Sequence, residues 1–122
     1  MAGLIHDLLE FSAQVKLYHW QTKVYARHVA SDKLFGEINS LIDQFVEVYI
    51  GKYGRPALAK ATQTLKLDNL TDATMVTYLN KWVTYLQDRL PEQIEKKDTD
   101  LLNIRDEMLG LINNTLYLFT FA

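Results

Sequence analysis

Apolar residues recur at steps of three and four along four stretches of this sequence, a spacing that suits a helix burying one face. The first stretch runs from about Gly3 to Ala26, with Leu4, Leu8, Phe11, Val15, Tyr18 and Thr22 on one stripe. The second is expected from Ser31, a candidate N-cap, to Ile50, with Leu34, Ile38, Leu41, Phe45 and Tyr49 in line and Phe35 and Ile42 beside them. Gly51 and the run Tyr53-Gly54-Arg55-Pro56 stop it, because Gly favours the left-handed turn after a helix and Pro disfavours helix before itself. Residues 56–70 read as a connection with one helical turn over Ala57–Ala61. Thr71 or Asp72 then caps a third helix carrying Met75, Leu79, Trp82 or Val83, and Leu86. Pro91 kinks or restarts that helix. Asp98-Thr99-Asp100 caps a fourth, with Leu101, Arg105, Met108, Leu109, Ile112, Leu116 and Phe119. Only five Gly and two Pro are available to break 122 residues, so few and long elements are expected. The pattern predicts one all-α domain over residues 1–122, a four-helix bundle whose second and third helices are joined by a crossover.

Charge and cysteine content narrow the functions open to such a chain. Lys plus Arg number 13 and Asp plus Glu 15, a formal charge of −2. That balance supplies no general attraction to nucleic acid or to anionic lipid, so neither is expected as a partner. There is no cysteine, which rules out disulfides and thiolate metal sites and fits a reducing, cytoplasmic compartment. The opening residues lack a basic leader and no run of about 18 apolar residues occurs, so neither a signal peptide nor a membrane span is expected.

The groups that carry chemistry are concentrated early. All three histidines, His6, His19 and His28, lie in the first 28 residues, and the second helix carries Asp32, Asp43 and Glu47. At about 100° per residue from Asp32, Asp43 falls near 20°, Glu47 near 60° and His28 near −40°, away from the apolar stripe at about 180° to 280°. A charged ridge of this kind is most often a solvated face. This one also holds Gly36 in mid-helix, which costs up to about 1 kcal/mol against Ala while letting another backbone approach, and the apolar Ile50. Asp32 and Asp43 are about 16 Å apart along one helix, too far to share a metal. Two copies crossing antiparallel about a two-fold axis near Gly36 bring Asp32 beside the partner's Asp43, twice by symmetry. Carboxylates with imidazole and open positions suit iron, manganese or zinc.

His19-Trp20, His28 with Asp32 four later, Asp43 eleven beyond and Glu47 four further resemble the signature of the Dps-like miniferritins. The resemblance implies a ferritin-like four-helix bundle with a long crossover between helices 2 and 3. It implies a di-iron or mono-iron ferroxidase site between two-fold-related subunits, with His19, His28 and Asp32 from one chain and Asp43 and Glu47 from the other. It further implies a dodecameric shell that oxidises ferrous iron with hydrogen peroxide or oxygen and stores the product, with zinc or manganese as other metals for the site. The step from His19 to His28 is about three residues shorter than in that family, and the basic DNA-binding tail is missing, so DNA binding is not implied.

The rival class is a non-catalytic helical oligomerisation or scaffold module of the same fold. A di-iron site inside the bundle is excluded, since no Glu-x-x-His motif occurs. His6 and Glu10, at i and i+4, read as a surface pair. The acids Glu92, Glu95, Asp98 and Asp100 read as a solvated cap and loop, or as the lining of an entry pore. Tyr78, Trp82 and Tyr85 read as packing.

Overall fold

The computed structural model describes residues 2–121 and is helical, with no strand among them. Four long helices, α1 (Ala2–Gln21), α2 (Tyr25–Tyr53), α3 (Asp72–Thr84) and α4 (Thr99–Leu118), follow one another in the chain. The stripe read from the sequence of α1 is the buried one: Leu4, Leu8, Phe11, Val15 and Tyr18 are at most 1% exposed. In α2 the buried set is Ala30, Ser31, Leu34, Ile38, Ile42, Phe45 and Tyr49. Leu41, on the edge of that stripe, is only half-buried. In α4 burial falls on Leu101, Ile104, Met108, Ile112 and Thr115. The expected Arg105, Leu109 and Leu116 lie half-buried at its edge.

Contacts at the helix ends fix the directions. The Tyr18 hydroxyl, near the end of α1, donates to Asp72 at the start of α3 (2.6 Å). Tyr85, just past α3, donates to Asp7 near the start of α1 (3.0 Å). Lys52, near the end of α2, reaches Asp98 just before α4 (3.1 Å). α1 and α4 therefore run one way and α2 and α3 the other, which requires the crossover between α2 and α3. α1 meets α3 through large side chains, with Phe11 against Trp82 (centroids 4.4 Å) and Tyr78 (6.0 Å).

Several expected boundaries move, each for a local reason. The first turn falls at Thr22-Lys23-Val24, so Ala26 belongs to α2 and Ser31 is a buried mid-helix residue, not an N-cap. α2 passes through Gly51 and ends at Gly54, the residue with positive φ (90°). No helical turn forms over 57–61. Thr71 caps α3 as expected, with a reciprocal bond to Thr74. Before Pro91 the helix widens into one π turn, Tyr85–Arg89, and then tightens into a short 3-10 turn, Leu90–Gln93. The Leu86 carbonyl in the widened turn accepts from the Arg105 guanidinium of α4 at 3.0 Å. No helix among the described residues is long and apolar enough to cross a membrane.

The crossover is tied to α1 at regular intervals. His6 Nε2 donates to the Thr64 carbonyl (2.6 Å), Glu10 accepts the Lys66 N–H (2.6 Å), and the Gln14 amide bonds both the N–H and the carbonyl of Asp68 (2.8 and 2.9 Å). Four residues of helix rise about 6.0 Å and two residues of extended chain about 6.6 Å. A four-residue step on α1 thus matches a two-residue step on the crossover. The intervening Leu65 and Leu67 are left partly exposed. His6 and Glu10, read as a surface pair, are anchors for this strap.

Candidate functional site

The three-residue turn between α1 and α2 builds the site. The Thr22 hydroxyl accepts the Val24 N–H at 3.2 Å, and Val24 is extended, so the chain reverses at once. The last turn of α1 then lies against the first of α2, and the His19 and His28 rings stack with centroids 4.0 Å apart. His19 Nδ1 is 2.8 Å from the His28 carbonyl, and His28 Nδ1 is 3.0 Å from the His19 carbonyl. A carbonyl only accepts, so each ring carries a proton on Nδ1 and, when neutral, a lone pair on Nε2. The buried Ser31 hydroxyl donates to the same His28 carbonyl at 3.1 Å. Metal-binding histidines are commonly oriented by such a bond to the far nitrogen.

His19 Nε2 faces the exposed carboxylate of Asp32, 3.8 Å away. Of the candidate ligands, His19 thus meets both the His28 ring and the Asp32 carboxylate at one end of the α1–α2 pair. Asp43 and Glu47 are exposed further down α2 and do not join them within the chain. Among the described residues no three of His, Cys, Asp and Glu gather closely enough to hold a metal ion. A single copy thus offers only the stacked imidazole pair, with one carboxylate near His19.

The ridge beside them is open. A Cβ built on Gly36 would meet nothing within 4 Å, so nothing in the chain's own packing demands glycine there. Trp20 is 69% exposed and Tyr25 78%. Lys16 is held between rings, its ammonium 5.3 Å from the Trp20 centroid and 4.6 Å from that of Phe35.

A family described only as a family of unknown function, DUF5856, matches residues 19–119. The chain belongs to DUF5856. A relative from Enterobacteria phage T4, described as an uncharacterized 14.6 kDa protein in the mobD-ri intergenic region, is 41% identical over 68 residues. That alignment covers 49% of this chain and 53% of the relative, so the chain spans about half the length of the curated relative it matches. No solved structure matches it.

These findings overturn the resemblance to the Dps-like miniferritins: the matching family is DUF5856, and neither it nor the phage relative is described as ferritin-like. The spacing of His19, His28, Asp32, Asp43 and Glu47 misled because i, i+4 pairs on one ridge recur on any long polar helix face.

Sequence reading missed two polar clusters at the ends of this DUF5856 chain. At one end Asp72 accepts from Tyr18 and from Thr22 (2.6 and 2.9 Å), while the Arg27 guanidinium donates to the Asp72 carbonyl (2.6 Å) and stands over the Phe119 ring. At the other, the buried Asp98 carboxylate accepts from the Tyr53 hydroxyl, from Lys52 (3.1 Å) and from the Glu95 N–H (2.9 Å). These donors, Tyr53 first, hold the Asp98 carboxyl down at about 2. Asp98, read as a solvated cap, in fact ties α2 to α4. Its signal in the sequence was an acid just ahead of a helix, with Lys-Tyr at the end of another.

Proposed function

We propose that the chain is a non-catalytic structural module, a four-helix bundle with one crossover, that assembles with copies of itself through the outer face of α1 and α2. The observation that carries this is the register of the α2 ridge. Setting Asp32 beside the partner's Asp43 centres an antiparallel crossing between Glu37 and Ile38. The same centre sets His28 beside the partner's Glu47, Val29 beside the partner's Val46 and Tyr25 beside the partner's Ile50. Gly36 then lies opposite the partner's Asn39, where a missing Cβ allows close approach. Isologous pairing needs matches such as Val29 with Val46, Tyr25 with Ile50 and His28 with Glu47, whereas the facing Asp32 and Asp43 carboxylates repel unless a cation joins them.

Sedimentation velocity on the purified chain tests the reading. A dimer or a multiple of it is expected, and Gly36→Arg should give a monomer with unchanged helix content. A wild-type chain that stays monomeric at its highest soluble concentration defeats it.

One observation favours a second role for the same face. In that pairing the Nε2 lone pairs of His19 and His28 and the Asp32 carboxylate would meet the partner's Asp43 and Glu47, all of them acceptors. Acceptors brought together need a cation between them, a proton on a ring or a metal. Iron, manganese and zinc suit such an oxygen and nitrogen set. Metal content after dialysis against each ion decides it: about one ion per site in wild type and none in Asp43→Ala is expected, and equal loading of both removes the role.

A further inference from the structure

Trp20 leaves most of an indole in water, although each Å² of apolar surface kept from burial forgoes about 25 cal/mol. Beside it lies a groove of about 500 Å³, walled by α1 on one side and the crossover on the other. We infer that Trp20 is the anchor of self-association, each copy seating its indole in the partner's groove against Leu9, Leu65 and Leu67. This rests on the self-assembly reading above and names the contact that drives it.

The register of α1 points to a second copy as the occupant. Leu9, Ala13, Lys16 and Trp20 share one outer ridge, within about 60° at 100° per residue. The pairs Leu9 with Trp20 and Ala13 with Lys16 are both centred between Gln14 and Val15. An antiparallel α1 pair therefore sets Trp20 beside the partner's Leu9 and the small Ala13 beside the partner's long Lys16. The level of that centre on α2 follows from two contacts. Ser12 donates to Asn39 at 2.5 Å, and the Lys16 ammonium stands over Phe35. These place the α1 centre level with the stretch from Gly36 to Glu37. The α2 ridge has its own centre between Glu37 and Ile38, about 1.5 Å away along the axis. One two-fold axis, lying in the interface and perpendicular to the helices, serves both pairs.

The crossover completes the pocket at the right height. Thr64 is bonded to His6, Lys66 to Glu10 and Asp68 to Gln14, so Leu65 and Leu67 flank the level of Leu9. That is where the partner's indole arrives. The face is also large enough. The ridge from Tyr25 to Ile50 is about 37 Å long and two packed helices are about 20 Å across, giving roughly 700 Å² against about 800 Å² per partner in a stable complex. Tryptophans buried near the centre of a contact are among the residues that carry most of its energy.

The second tryptophan, Trp82, is 8% exposed, so acrylamide quenching of the wild-type chain reports Trp20. On raising the concentration, quenching should fall and emission shift to the blue, in step with dimer formation by sedimentation. Trp20→Ala and, separately, Leu67→Asp should weaken the dimer by about thirty-fold or more while leaving the thermal melt of the dilute monomer in place. A dimer whose Trp20 stays fully quenchable, or a Trp20→Ala dimer as tight as wild type, overturns the anchor and leaves self-assembly standing. A wild-type chain that never dimerises overturns both.

Discussion

His19 and His28 each give the Nδ1 proton to the other's backbone carbonyl, at 2.8 and 3.0 Å, and so lock the end of α1 to the start of α2. His19 is 7% exposed, so its removal takes one of two side-chain donors from the His28 carbonyl and opens a space. His19→Ala should cost about 2 kcal/mol in urea unfolding, and His28→Ala, half-buried, about half as much. Equal and negligible costs would show that the turn at residues 22–24 holds without the rings.

Gly36→Ala separates folding from assembly. The added Cβ meets nothing within 4 Å in one copy, and Ala is the better helix former by about 1 kcal/mol. Urea unfolding of the dilute monomer should therefore show stabilisation of up to that amount. Sedimentation should show weaker association, as the partner's backbone is held off. Stabilisation together with unchanged association would argue against close approach at this point.

Asp98 contributes to the acid limit of the fold. Its carboxyl is lowered from 3.8 to about 2, chiefly by the Tyr53 hydroxyl. A lowered value means stability that is fully present above 3.8 and is lost as the pH falls from there through about 2. The Tyr53 hydroxyl is raised from 10.0 to about 12 by the same bond, so its share holds below pH 10 and disappears as the pH rises through about 12. Circular dichroism across both ranges should show these limbs, and Asp98→Asn should flatten them.

His6 should make the crossover pH-dependent. Its bond to the Thr64 carbonyl raises its pKa above the ordinary 6.5. The contribution is then complete below 6.5 and falls away as the pH rises through the higher folded value. Hydrogen exchange over residues 64–68, corrected for intrinsic rate, should speed up across that interval in wild type. In His6→Ala it should be fast and flat.

The helices were legible because each buries a stripe at helical spacing, and Leu4, Leu8, Phe11, Val15 and Tyr18 announce theirs without ambiguity. The turn at Thr22-Lys23-Val24 was not, since no Gly or Pro marks it and the Thr22 hydroxyl makes it. The strap escaped notice because its pattern spans two distant segments: His6, Glu10 and Gln14 on one, and alternate residues of 64–68 on the other. Of the candidate ligands, His19 meets His28 and Asp32 because that turn is short. Asp43 and Glu47 sit apart within the chain, as a helix rise of about 1.5 Å per residue requires. Family membership was the least legible part, for two i, i+4 pairs on a polar ridge are common to unrelated helices.

Pairing two residues of the crossover with each turn of α1 imposes a parity on the chain. Inserting or deleting one residue between Thr64 and Asp68 would turn Leu65 and Leu67 toward the helix and send the bonded groups outward. Residues 55–63, exposed throughout and upstream of that register, carry no such constraint. Natural variation in length among DUF5856 chains should gather before Thr64, and any change after it should come in pairs.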